Sequence, residues 1–277
     1  KILRDISFSN NNFKRMFFDA RAFIYIYFFE KNYMCLRKSL TVYTQNIYGD
    51  TIKNYEKKDF NWWTRRFEYH SYVKNLFFKN LFYKFLHSIN FLQGESYWDK
   101  FVVRVAPAKN KFRYREASRI GVHRDTWGTN IHQQINWWAP ISSIEETNTM
   151  VFFPDYFDRP VKNSTSSWDL NIYLKNRKKG DFSYPSAPEL LEELPENVRI
   201  LPVTIKPGEI LCFSGSHLHS SSKHKSENTR FSYEIRTVCQ DDLETKNEAP
   251  NIDCELKWQF PKIFRNMKDN SPMKITS

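Results

Sequence analysis

No turn between the strand-like segments of this 277-residue chain carries a glycine-rich, phosphate-cradling pattern, which removes the nucleotide-binding folds. Cysteine is scarce. Cys35, Cys212, Cys239 and Cys254 form no CxxC pair and are too few to staple a chain of this size, so the reducing cytoplasm is the expected location. Long apolar runs are missing as well: the longest run of large apolar and aromatic residues, Phe23 to Phe29, has seven, where a membrane helix needs about 20. It reads as a buried strand or helix face, and no membrane partner is expected. The chain opens without Met and without the charged, apolar and small-residue succession of a secretory leader, so none is expected. Internal repeats are absent. Positive charge is in excess, net +11 with a pI near 9.3, yet Lys57-Lys58, Lys178-Lys179 and Lys223/Lys225 are scattered. Without a basic stripe interleaved with stacking aromatics, a solvated surface is the simpler reading and a nucleic acid is not the expected partner.

What the chain does have is a set of metal-ligating types in a suggestive order. His123-Arg124-Asp125 is followed, 94 residues after Asp125, by His219, and eleven residues later by Arg230. Two imidazoles and a carboxylate can occupy one face of an octahedral Fe(II), leaving open positions for a cosubstrate and O2. On an extended segment, an HxD pair puts both side chains on one side. An arginine on the next strand can then grip the far carboxylate of a 2-oxo acid through a two-pronged contact. With seven His and fourteen Asp, a chance HxD turns up in about one chain in three of this composition, so the motif depends on its context.

That context is a strand-rich stretch. Residues 199 to 238 divide into an alternating strand, a Pro207-Gly208 turn, the apolar run Ile210-Leu211-Cys212-Phe213, a His-bearing corner and a final strand. Further strands are predicted over 101–106, 117–125, 131–139 and 149–153. Apolar residues at Tyr72, Val73, Leu76, Phe77, Leu81, Phe82, Phe85 and Leu86 have helical spacing. The expected architecture is mainly β with helices: a double-stranded β-helix, or jelly roll, over 99–240 with a helical N-terminal layer over 1–98. Residues 155–198, with Pro160, Pro185, Pro188 and a helix candidate at 189–194, form an insertion read as a substrate lid. Residues 241–277 read as a polar tail wrapping the surface. One domain is expected, since 277 residues bury one sizeable core.

The chain resembles the phytanoyl-CoA dioxygenase-like branch of the Fe(II)/2-oxoglutarate oxygenases. The resemblance spans roughly 101 to 240 and rests on His123-Arg124-Asp125, Trp137-Trp138-Ala139-Pro140, Asn148-Thr149-Met150 through Phe153-Pro154-Asp155, and His219-Ser220-Ser221 through Arg230. It departs from the family at Thr149, at Asp155-Tyr156-Phe157 and at His224, where Asn is usual, which leaves the substrate class open. The resemblance implies His123, Asp125 and His219 as iron ligands, with His219 preferred over His217 because Ser221 and Arg230 follow it at the family's spacing. His217 then becomes a neighbour of the metal site or of the substrate pocket. Arg230 is expected to bind the C5 carboxylate of 2-oxoglutarate, with Ser221 and Trp138 beside it.

Alternation adds Gln134 and Asn136 as candidates for the oxo acid, and Trp127, Arg104 and Arg236 for the substrate pocket. It also places Arg230, Ser232, Glu234 and Arg236 on one face of the last strand, and Phe231, Tyr233 and Ile235 on the other. Trp127, Tyr156 and Trp168 are available to cover a ring or a methylene chain. The implied reaction couples decarboxylation of 2-oxoglutarate, to succinate and CO2, with O2-dependent oxidation of an unactivated C–H bond. Asp125 as a ligand leaves no vacancy for a halide, so hydroxylation, desaturation or ring formation is expected over halogenation. The expected partner is a small molecule, with an anionic one accommodated by Arg104 or Arg236. An oxygenase acting on a protein or nucleic acid, and a non-catalytic jelly-roll binding module, are the alternatives. Oligomeric state is not legible.

Overall fold

A computed structural model describes residues 72–89, 91–92, 94–106, 121–181, 183–222, 226, 228 and 230–274, and the backbone of two strands at 2–4 and 24–28. The strands are β1 (Ile2–Arg4), β2 (Ile24–Phe28), β3 (Ser96–Trp98), β4 (Val102–Ala106), β5 (Ile135–Pro140), β6 (Met150–Phe152), β7 (Leu201–Pro202), β8 (Glu209–Ser214), β9 (His219–Ser221), β10 (Arg230–Cys239) and β11 (Arg265–Asn266). Helices are α1 (Tyr72–Ser88), α2 (Thr126–Thr129), α3 (Leu170–Lys178) and α4 (Gln240–Glu244). Eight strands form a large sheet in the order β1-β2-β8-β5-β10-β3-β11, with β4 also on β10; β7-β6-β9 form a small one. All pairs are antiparallel except β1 with β2.

Side-chain alternation gives the large sheet two different faces. Ile135, Trp137 and Ala139 of β5, Ile210 and Cys212 of β8, and Phe231, Tyr233 and Ile235 of β10 join one core with Phe78, Phe82, Phe85 and Leu86 of α1. The helical spacing of those aromatics thus becomes a single buried stripe. Trp137 is fully buried, meets Phe82, Phe85 and Phe91 edge-on at centroid distances of 5.8, 6.1 and 4.7 Å, and donates its indole N–H to Thr237 Oγ1 at 2.9 Å. The opposite face, through Trp138, Leu211 and Phe213, packs on Met150 and Phe152 of the small sheet. Two sheets packed face to face match the jelly roll that the strand pattern predicts.

Several local expectations change. The N-terminal layer is not purely helical: within the apolar run, β2 pairs with β8, Tyr25 opposite Cys212. Expected strand residues 117–120 lie outside the described residues, and 121–125 is no strand, because only His123 makes a β-bridge before the chain turns into α2. The insertion's helix is α3, not 189–194. Asp169 caps α3 by accepting N–H bonds from Asn171 and Ile172 at 2.6 and 3.2 Å. Leu190, between Pro188 and Pro195, instead bridges Asn163, which satisfies backbone groups a helix would have used. Among the described residues no helix is long and apolar enough to cross a membrane.

Candidate metal centre

The HxD segment and the His219 corner are tied backbone to backbone. His123 N–H donates to His219 C=O at 2.9 Å, and His219 N–H returns a bond to His123 C=O at 3.0 Å. This reciprocal bridge holds the imidazole centroids 4.3 Å apart. Asp125 reaches the same point by a different route from the one alternation predicts. It has helical backbone angles (φ −66°, ψ −28°) at the start of α2, whose Thr126 N–H bonds to Gly215 C=O at 3.3 Å. The turn, not a strand pleat, brings its carboxylate alongside the two rings.

His123, Asp125 and His219 each offer a ligand atom within 4.8 Å of the others. Both rings use Nδ1 on a backbone carbonyl, His123 on Gly121 and His219 on His217, each at 2.9 Å. Since a carbonyl only accepts, both Nδ1 atoms carry the proton and both Nε2 lone pairs stay free. They face Asp125, at 3.9 Å from His123 and 3.4 Å from His219. Burial pushes His123 down to about 4, with nearby His219 lowering it further, so the ring is neutral and able to bind a metal. Burial raises Asp125, but His219, His123, Arg236 and the Asn136 amide outweigh it and hold the carboxyl below its ordinary value. A two-imidazole, one-carboxylate donor set with tautomers fixed from behind fits a divalent transition metal such as Fe(II).

The cavity at this centre brings together most of the expected residues. It is lined by Arg104, Asn136, Trp138, Ser221, Arg230 and Arg236, as well as by the triad. Arg230 is buried with its guanidinium 5.9 Å from the Trp138 ring centroid. Its Nη1 donates to Asn148 C=O at 3.0 Å and its Nε has no partner among the described residues. Burial lowers its pKa only to about 10, so it stays cationic at neutral pH. Asn136 donates to Asp125 Oδ2, orienting that carboxylate. Arg104 and Arg236 are paired with acids, Glu234 and Asp99 respectively, and neither is free for an anion.

Three expected pocket residues lie elsewhere. Trp127 is fully buried behind the HxD, its indole N–H on Asp253 at 2.7 Å. Gln134 packs against Gly215, where a Cβ would come within 2.2 Å of its amide; it accepts from Thr129 and donates to Asn136. His217 contributes its carbonyl to His219, while its own ring packs 4.6 Å from Phe157 and burial drops it to about 3. Tyr156 and Trp168 join Trp127 in a separate apolar cluster, and no described residue of the 155–198 insertion lines the cavity.

Sequence reasoning missed two residues with clear roles. Asp99 accepts from Arg236 backbone N–H at 2.8 Å and from its Nε at 2.5 Å, aiming the guanidinium so that Nη1 lies 3.8 Å from Asp125. Asp253, in the segment read as a tail, accepts both oxygens' worth of contact from Arg124 Nε at 3.1 Å. Arg124 also donates to the carbonyls of Ser216, Tyr156 and Arg159 at 2.7, 2.7 and 2.9 Å. The middle residue of the HxD therefore ties the metal loops to the insertion and to the C-terminal segment. No local pattern marks either aspartate.

No protein-family profile and no curated protein sequence matches the chain. Among solved structures it is similar to the non-heme alpha-ketoglutarate-dependent carbocyclase SnoK from nogalamycin biosynthesis, at TM-score 0.44 and 10% identity over 95% of this chain and 98% of that one. EvdMO1 is similar at TM-score 0.38 and 14% identity over 77% of this chain and 45% of that one. EvdO2 from Micromonospora carbonacea var. aurantiaca, solved in complex with 2-oxoglutarate, is similar at TM-score 0.36 and 12% identity over 60% and 56%. The chain thus spans about half the length of the last two. At such TM-scores the likeness is loose, and the chemistry has to come from this chain's own residues.

Proposed function

We propose that the protein is an Fe(II)- and 2-oxoglutarate-dependent dioxygenase that hydroxylates or otherwise oxidises an unactivated C–H bond of a small molecule, with release of succinate and CO2. One observation carries the reading: two histidines with Nδ1 tied back converge on Asp125 in a cavity whose buried Arg230 has no carboxylate partner among the described residues. His123, Asp125 and His219 would hold the metal. Bound Fe(II), with 2-oxoglutarate and O2, supplies the oxidising power for C–H cleavage. Arg230 would pair with the distal carboxylate of 2-oxoglutarate, satisfying a buried charge that otherwise lacks a counter-ion. Trp138 backs that guanidinium and Ser221 lies in the same wall. Asn136 and Arg236 orient the Asp125 carboxylate rather than the oxo acid.

The single domain of 1–277 is retained in this reading, with 155–198 bracing the HxD through Arg124 and Asp253. The free, buried Cys212 and Cys254 support placing the enzyme in the reducing cytoplasm. The test is succinate formation from 2-oxoglutarate by Fe(II)-loaded protein, with pooled small metabolites, against His123→Ala. Metal-dependent succinate lost in the variant is expected. Metal-loaded protein that neither binds nor converts 2-oxoglutarate would sink the reading.

A further inference from the structure

Among the described residues six carboxylate or guanidinium side chains line the cavity, and they are matched almost completely. Arg236 is committed to Asp99, at 2.5 Å, and to Asp125, at 3.8 Å. Arg104 donates both Nε, at 2.9 Å, and Nη2 to Glu234. Arg230 alone pairs with no acid among the described residues, and on the reading above it is reserved for 2-oxoglutarate. Three carboxylates thus balance three guanidiniums, and a dication with a dianionic cosubstrate adds no net charge. Among the described lining residues no unpaired cation is left for an anionic substrate and no unpaired carboxylate for a cationic one. Since an unmatched charge brought among these described lining residues is costly, they favour a neutral molecule.

Water reaches the Arg104–Glu234 pair most, 34% exposed on each side, against 28% for Arg236 and 6% for its partner Asp99. A carboxylate beside a guanidinium presents an acceptor and several donors next to one another. That arrangement matches two hydroxyls on neighbouring carbons, one donating to Glu234 and the other accepting from Arg104. A site built to bond hydroxyls rejects analogues that lack them, because its polar groups are then stranded. Met150, Phe213 and Trp138 supply apolar wall for a carbon skeleton.

We propose that the substrate is a neutral, hydroxyl-rich small molecule carrying a vicinal diol, read by Arg104 and Glu234. This rests on the Fe(II)/2-oxoglutarate function proposed above. The experiment therefore begins by measuring 2-oxoglutarate binding to anaerobic Fe(II)-loaded protein by calorimetry; its absence overturns that function and not the diol assignment specifically. With binding established, a cell metabolite extract is separated by ion exchange and reversed phase into anionic, cationic, neutral polar and lipophilic fractions, and each is tested for stimulation of succinate formation. Stimulation by the neutral polar fraction, abolished when that fraction is first treated with periodate to cleave vicinal diols, is expected. Glu234→Gln should raise the KM for the active component about tenfold. Stimulation by a charged or lipophilic fraction, stimulation that survives periodate, or stimulation by no fraction overturns the proposal.

Discussion

The two faces of the large sheet are built from the same strands and do opposite work. On β5 and β10, Trp137, Tyr233 and Ile235 face α1 in a dry aromatic core, while their neighbours Asn136, Glu234 and Arg236 face the cavity. Register keeps the sets apart: Ile235 stands opposite Trp137, Glu234 opposite Trp138, and Arg236 opposite Asn136. One face gains stability from apolar burial. The other holds buried charges whose pairs contribute little net stability but cost heavily when one partner is removed. Substitutions one residue apart should therefore fail in different ways.

The largest contrast is at the triad. Asp125→Ala or His219→Ala should lower succinate formation by about a thousandfold or more, equivalent to roughly 4 kcal/mol, while the metal-free variants still unfold cooperatively in a thermal melt. A variant that lost its cooperative melt would make the triad part of the core. Trp137→Ala is the converse, with an expected loss of about 3–5 kcal/mol in urea unfolding and unchanged metal affinity in the folded fraction. Impaired metal binding there would show that the faces are coupled. Next comes Arg230→Ala, which should raise the KM for 2-oxoglutarate about a hundredfold, or some 2.7 kcal/mol, with metal affinity retained.

The remaining prediction concerns pH. Burial holds His132 near 4, and in the metal-free protein His123 near 4 and His217 near 3. As pH falls below the ordinary histidine value of about 6.5, the unfolded chain binds protons that the folded chain refuses. Stability should drop between about pH 6.5 and 4, by up to about 1.4 kcal/mol per pH unit for each such histidine. His132→Gln should flatten that slope by one histidine's share, read from urea midpoints of metal-free protein across the same window. An unchanged slope would remove His132 from the account.

Much of the site was legible because it depends on short-range periodicity. Alternation on β10 separated Arg230, Glu234 and Arg236 from Phe231, Tyr233 and Ile235, and the sheet kept that division. The same reasoning failed where the chain left the pleat. Trp127 lies on α2 rather than a strand, and Gln134 lies just before β5, so alternation from neighbouring strands did not apply to them. Asp99 and Asp253 could not be found at all, since their partners Arg236 and Arg124 are 137 and 129 residues away and carry no mark of the pairing.

By itself, the order of residues determined which side chains share a strand face, which types can bind a metal, and that a jelly roll can hold them. Only the tertiary structure decided that His219 rather than His217 turns its ring to Asp125, that Arg104 and Arg236 are committed to acids, and that Arg230 has none among the described residues. Face assignment follows from backbone geometry within a few residues. Pairing of charges and closing of the His123–His219 bridge require segments about a hundred positions apart to meet, and that is settled by packing the whole chain.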